Sequence, residues 1–145
     1  MEDEDWTPKE TTTHQDHVIA HVIGATVLGY FVLDETLQVL LDIGFVWSIF
    51  VDGEMGLLPH PVSSAELAVS EETRNQIRAE IDDLLAHHLH AENLQHVTQP
   101  KVECLITEVN FFAGGERRRL VVTGEDANLT IETSVETAEI RVYEF

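Results

Sequence analysis

The sequence predicts an α+β fold, in which a mostly antiparallel sheet packs with one main amphipathic helix. Three patterns support this class. Apolar residues recur at helical spacing between residues 70 and 90, they alternate with a period of two after residue 100, and β-branched and aromatic residues dominate residues 18–51. Because strands and helix occupy separate stretches of the chain, we expect an α+β arrangement.

The main helix is predicted over about residues 70–90. Ser70 is a good N-cap, and Glu71 and Glu72 lie where the helix dipole favours negative charge. Four apolar residues follow at helical spacing and form one stripe: Ile77, Ile81, Leu84 and Leu85. We expect the helix to bury this stripe in the core.

The C-terminal third is predicted to form an antiparallel sheet. Alternating residues after Pro100 form a first strand, and Gly114 and Gly115 make the hairpin turn to its partner strand. Residues 128–135 and 138–145 add two further strands, with threonine and glutamate on the solvent face.

The N-terminal half combines a firm strand with an ambiguous segment. Residues 18–33 predict one long strand or two short strands, buried on both faces. Residues 34–44 fit both a short helix and an alternating strand, and we favour the helix. Residues 45–51 predict a strand that ends in a turn at Asp52 and Gly53.

The length of 145 residues fits a single domain. Residues 1–13 combine acidic residues, a proline and a threonine run, which predicts a disordered acidic N-terminal arm. Trp6 is the exception in this arm, and we expect it to dock on a neighbouring element. Residues 14–145 are then expected to form the single α+β domain.

The composition indicates a soluble, cytoplasmic protein. The longest apolar run, residues 18–33, has 16 residues and falls short of the roughly 20 that span a bilayer as a helix, so we expect no membrane segment. The N-terminus is acidic, whereas a secretory signal is basic and then apolar. Cys104 is the single cysteine and excludes an intrachain disulfide, which agrees with the cytoplasm.

The charge balance argues against one class of partner. The chain has 27 acidic and 8 basic residues, and its formal charge of −19 repels phosphates, so we expect no nucleic-acid binding. The same field favours cations or a basic protein partner, although dispersed acidic residues also serve solubility alone. An acidic decoy that imitates phosphates is a weaker alternative, because the acidic residues show no ladder-like spacing.

Histidines concentrate near the end of the main helix. His88 continues the apolar stripe, and Glu92 and His96 follow at successive steps of four residues. Imidazole and carboxylate ligands suit zinc or iron, so these residues are candidates for a transition-metal site. The favoured interpretation is simpler: the helix ends near Leu89 and the histidines lie on its solvated, negatively polarised end.

A second histidine cluster precedes the apolar half. On a helix His14, His17 and His21 lie within about 60° of each other, whereas on a strand only His17 and His21 share a face and His14 points away. The residues that follow favour a strand, so His17 and His21 are the further metal candidates. A composite site would require them to lie beside His88 in the fold. The favoured alternative is that these histidines hydrogen-bond to backbone or water.

Two charged motifs have both a structural and a functional interpretation. Arg117 and Arg119 share one strand face and could bind an anion, but cross-strand pairing with glutamates is favoured, such as Glu132, Glu136 or Glu139. Asp52 and Glu54 could act in acid–base chemistry or hold a divalent ion, but a hairpin turn is favoured.

No residue spacing predicts a catalytic constellation, so the favoured function is a small acidic, non-catalytic binding or protein-interaction module. The apolar and aromatic content of residues 18–51 exceeds what one sheet face buries, which predicts a homodimer. The alternative is a His/carboxylate transition-metal-binding protein, in one form a metallohydrolase, built on the histidine clusters.

Overall fold

The computed structural model describes residues 6–33, 35–59, 69–87 and 94–144. In this part of the chain the elements are β1 (Thr7–Pro8), α1 (Thr13–Val22), β2 (Thr26–Leu33), β3 (Thr36–Leu41), β4 (Phe45–Phe50), β5 (Met55–Pro59), α2 (Glu71–His87), β6 (Cys104–Gly114), β7 (Arg117–Gly124), β8 (Asn128–Ser134) and β9 (Glu139–Glu144). The strands form one open antiparallel sheet in the order β5-β4-β3-β2-β6-β7-β8-β9, and β1 pairs with β6 beside this path.

The α+β class predicted from the sequence is wrong, because the fold is predominantly β. Strands hold 48% of the described residues and the two helices hold 22%. The helix predicted over residues 70–90 is found as α2, and residues 88–90 lie outside the described part. The class changes because residues 34–44, for which a helix was favoured, contain β3, and because β5 follows β4 as a further strand.

Strand β3 forms where a helix was favoured because both of its faces are buried. Leu37, Val39 and Leu41 face one side of the sheet, and Leu40 faces the other. Helical and strand spacing both accommodate these residues. Only a strand between β2 and β4 buries all of them while pairing the backbone groups along both of its edges.

Helix α1 occupies the first part of a stretch predicted as a strand. Thr12 is its N-cap and forms a capping box with Gln15, each side chain accepting the other residue's backbone N–H. The β-branched residues here indicated a strand, yet Val18 and Val22 are one helical turn apart and both are buried. The strand prediction for residues 18–33 therefore holds only over β2.

The other strand predictions are confirmed. β4 lies within residues 45–51, and the turn after it contains Gly53 with a φ of 86°, a conformation that glycine adopts without strain. In the C-terminal third, β6 to β9 form the expected succession of antiparallel hairpins. The turn from β6 to β7 contains Gly115, with a φ of 63°.

The sheet bends into two layers at the junction of β2 and β6. Two residue pairs join these strands: Thr26 with Leu105 and Val27 with Cys104. We call β2 to β5 the first half-sheet, and β6 to β9 together with β1 the second half-sheet. Their inner faces share one core, and a Cβ atom added at Gly53 would lie only 3.0 Å from Phe111 Cζ.

The first half-sheet is covered on both faces by the chain itself. On its outer face, the predicted stripe of α2 packs against four apolar side chains: Leu28, Phe31, Leu40 and Val46. On its inner face lies the core shared with the second half-sheet, where Trp47 is fully buried. The apolar content from which a homodimer was predicted is therefore largely used within one chain.

The two helices lie on opposite faces of the first half-sheet. Helix α1 contributes Val18 and Val22 to the core between the half-sheets, whereas α2 packs on the outer face. Neither of the described helices is long and apolar enough to cross a membrane.

The N-terminal segment reaches the second half-sheet. Thr7 and Pro8 pair with Ala113 and Phe112 of β6, and residues 1–5 lie outside the described part of the chain. The division into an arm over residues 1–13 and a domain over residues 14–145 stays a prediction.

Candidate functional site

The residues predicted to bind zinc or iron do not meet in the described part of the chain. His88 and Glu92 lie outside it. His17 and His21 are exposed on α1, whereas His96 lies beside α2, on the opposite face of the first half-sheet. Within the described ranges, no three His, Cys, Asp or Glu side chains lie close enough to hold a metal ion. Zinc or iron binding by these residues stays a prediction.

One described histidine of each cluster has a hydrogen-bond partner that accounts for its position. His21 Nδ1 lies 2.8 Å from the carbonyl oxygen of His17, one helical turn earlier. His96 Nε2 lies 2.9 Å from Gln76 Oε1. These contacts agree with the favoured interpretation of hydrogen-bonded histidines for the second cluster.

The important ionisable residue of α2 is Glu80, which the sequence analysis missed. Its side chain is 8% exposed, and its Oε1 accepts the backbone N–H groups of Gln95, His96 and Val97 at 3.1, 3.0 and 2.9 Å. Glu80 therefore anchors the segment after α2 to the helix. The sequence indicated a role for Glu80 only by placing this charged residue directly before Ile81, which belongs to the predicted apolar stripe.

The carboxylates after β4 form a turn. Asp52 Oδ1 accepts the backbone N–H of Glu54 at 2.9 Å, which is the local hydrogen bond typical of an aspartate in a turn. The hairpin interpretation of these residues is therefore confirmed.

Two further groups with nucleophilic or acidic chemistry are inactive in their surroundings. Burial raises the pKa of the Cys104 thiol, which keeps the thiol protonated. Burial raises the pKa of Tyr30 above its usual range, and a hydrogen bond of 2.5 Å from its hydroxyl to Glu144 adds to this effect. Neither group is activated for catalysis.

The outer face of the second half-sheet is polar and carries charges in register. Two rows of side chains cross β7, β8 and β9: Arg117–Ser134–Glu139 and Arg119–Glu132–Arg141. Arg119 Nη2 lies 2.6 Å from Glu132 Oε2, and Arg141 Nη2 lies 3.2 Å from Glu139 Oε2. The predicted pairing of Arg119 with a cross-strand glutamate is therefore confirmed. The pairing expected of Arg117 and of Glu136 is not found among the described residues.

An open pocket of about 420 Å³ lies at one end of these rows, where the β6–β7 and β8–β9 turns meet. A backbone hydrogen bond of 3.2 Å from Val135 N–H to the Glu116 carbonyl oxygen holds the two turns together. Ten residues line the pocket: Gly114, Glu116, Arg117, Glu132, Thr133, Ser134, Glu136, Thr137, Glu139 and Arg141. Its charged lining is thus four glutamates and two arginines.

The four glutamates differ in how far their charges are compensated. Glu132 and Glu139 are in the ion pairs described above. Hydrogen bonds from Thr137 and then from Arg141 lower the pKa of Glu139 below its usual value, so it is ionised at neutral pH. The carboxylates of Glu116 and Glu136 are exposed and have no ion-pair or hydrogen-bond partner among the described residues.

Trp6 lies against the arginines beside the pocket. The guanidinium carbons of Arg117 and Arg119 lie 4.9 and 4.4 Å from the centre of its ring, within the range of cation–π contacts. The expectation that Trp6 docks on a neighbouring element is confirmed. The pairing of β1 with β6 brings it there, a long-range contact that no local sequence pattern indicates.

Comparison of the chain with protein-family models, with curated proteins and with solved structures found no match. Function is therefore inferred from the geometry of the chain itself.

Proposed function

We propose that this protein is a non-catalytic interaction module that binds a basic segment of another protein in the pocket of the second half-sheet. The observation that carries the proposal is the pair of exposed, uncompensated carboxylates, Glu116 and Glu136, in a concave surface. Carboxylates of this kind accept charged hydrogen bonds from lysine ammonium or arginine guanidinium groups.

The charge of the whole chain supports the same class of partner. A formal charge of −19 attracts cations over distances longer than any contact, and salt screens this attraction beyond about 8–10 Å. A single exposed ion pair contributes only about 0.2–1 kcal/mol. We therefore expect the partner to be a segment with several basic residues, and the affinity to fall steeply as salt is added.

Two further proposals, on the cellular location and on the oligomeric state, accompany the proposed function. The cytoplasm is the proposed location, supported by a buried free thiol at Cys104. A homodimer is a proposal of second rank, supported by the exposed Phe50, at 41%, at the end of β4. A strict monomer in sedimentation at high protein concentration would end the dimer proposal.

The test measures the affinity of a labelled lysine-rich peptide by fluorescence anisotropy at low and at physiological salt. The double variant E116Q/E136Q removes the two uncompensated charges, and we expect it to weaken binding several-fold, as the loss of two ion pairs implies. The matched control is E125Q/D126N, which removes the same charge from an exposed turn at the opposite end of the same half-sheet.

The two variants separate a site from a general field. If E125Q/D126N weakens binding as much as E116Q/E136Q, the peptide responds only to net charge and the proposed site is wrong. Equal affinity for a glutamate-rich peptide of the same length would contradict the proposed class of partner.

A further inference from the structure

The guanidinium of Arg117 lines the same pocket as Glu116 and Glu136, yet no described carboxylate pairs with it. The Arg117 guanidinium instead lies over the ring of Trp6. Opposite charges on one concave surface attract each other, and a long arginine side chain has the freedom to reach them. The position of Arg117 therefore needs a restraint, and the aromatic ring supplies one.

We propose that Trp6 is a positioning residue that keeps the pocket acidic. By stacking on Arg117, the ring holds its guanidinium away from Glu116 and Glu136, which leaves both carboxylates available to a basic partner. This inference rests on the proposed function and adds to it an internal competitor, Arg117, and the residue that restrains it.

Trp6 is itself held from two sides. Its backbone neighbours are fixed to β6, where the Lys9 N–H donates to the Phe111 carbonyl oxygen at 2.8 Å and the Thr7 hydroxyl donates to the Ala113 carbonyl oxygen at 3.3 Å. These bonds place the ring at the edge of the second half-sheet.

The second restraint on the ring is Arg119. Its guanidinium lies 4.4 Å from the ring centre and is fixed in turn by the ion pair with Glu132. Arg119 is thus neutralised where it stands, whereas Arg117 keeps its full charge. The same ring consequently holds one compensated and one uncompensated arginine.

The arrangement also couples the pocket to the N-terminal segment. Strand β1 has only two residues, and so short a strand belongs to the part of a fold that opens most readily. When the segment leaves β6, Trp6 leaves Arg117, and Arg117 then competes with a basic ligand for the pocket carboxylates. Docking of the segment therefore raises the affinity of the pocket.

The test is a double-mutant cycle on peptide affinity with wild type, Trp6→Ala, Arg117→Gln and W6A/R117Q. We expect Trp6→Ala to weaken binding of the lysine-rich peptide about two- to fivefold at low salt, the range that one exposed ion pair implies. In the Arg117→Gln background the same change should have no effect, because the competitor is absent. Trp6→Phe keeps a ring and should bind like wild type.

Each outcome of these measurements either supports the role of Trp6 or contradicts it. If Trp6→Ala weakens binding equally in both backgrounds, the ring acts by contacting the peptide or by ordering the segment, and the proposal is wrong. It is also wrong if Trp6→Ala binds like wild type. If E116Q/E136Q leaves the affinity unchanged, the proposed function itself fails. If that variant weakens binding and the cycle shows no coupling, only the role of Trp6 fails.

Discussion

The most direct test of the fold energetics is the replacement Glu80→Gln. The carboxylate accepts three backbone N–H groups at Oε1, from Gln95, His96 and Val97, and the His96 N–H also lies 3.3 Å from Oε2. A glutamine oxygen can accept the same bonds but without the charge. Hydrogen bonds to charged groups contribute about 1.5–3 kcal/mol and neutral ones about 0.5–1.5 kcal/mol. Because the three bonds share one acceptor, we expect a total loss of about 1–2 kcal/mol rather than three times the difference.

The assay is urea unfolding followed by circular dichroism, with the free energy of unfolding extrapolated to water. Glu80→Ala should cost more, about 2–4 kcal/mol, since the buried N–H of Val97 then loses its acceptor. The control is Glu103→Gln, the same chemical change at an exposed position, which should stay within about 0.5 kcal/mol of wild type. Equal stability of Glu80→Gln and Glu103→Gln would refute the anchoring role. Hydrogen exchange at the Val97 amide gives a local readout of the same bonds.

Three further predictions concern the second half-sheet and the core. A double-mutant cycle with Arg119→Ala and Glu132→Ala should give a coupling energy near 1 kcal/mol, the upper end for surface pairs, since both side chains are about four-fifths buried; a coupling near zero would contradict this. Cys104 is 1% exposed, so a thiol reagent should modify it slowly in the native protein and rapidly in urea, and fast native labelling would contradict its burial. Burial raises the pKa of Cys104 above its ordinary 9.0, so the unfolded chain loses this proton first and stability should fall as the pH rises above that value. Cys104→Ala should show a smaller decline over the same range.

The sequence predicted those elements whose pattern is local. Helix α2 has an N-cap at Ser70 and a single apolar stripe, and β8 and β9 alternate strictly, so these elements were found. Helix α1 was missed because its β-branched residues favour strands, and the capping box of Thr12 and Gln15 outweighs that preference. Strand β3 was misassigned because its consecutive leucines fit both periods, and burial on two faces is decided by tertiary packing.

The candidate site could be predicted only in part, because it combines residues from separate parts of the chain. The pairing of Arg119 with Glu132 follows from strand alternation and was expected. The pocket instead depends on two turns, more than fifteen residues apart in the chain, that register brings together. Glu116 therefore had no distinguishing spacing, and Glu136 was expected to pair with an arginine rather than to stay uncompensated. The histidine spacing is visible in the sequence because it is local. Which carboxylates stay uncompensated depends instead on the side chains of neighbouring strands, which the sequence does not show.

The distribution of basic residues along the chain shows why the uncompensated carboxylates of the pocket are unusual. Four of the eight basic residues lie on β7 and β9, and most acidic residues elsewhere have no such neighbours in sequence. Glutamates on these strands therefore have the best opportunity in the molecule to be neutralised, as Glu132 and Glu139 are. That Glu116 and Glu136 stay uncompensated beside Arg117 is consequently a stronger observation than an unpaired acidic residue far from any basic residue would be. The contact of Trp6 with Arg117 gives a physical reason why Glu116 and Glu136 stay uncompensated while Glu132 and Glu139 are paired. Removal of the Trp6 ring is therefore the most sensitive test of this explanation.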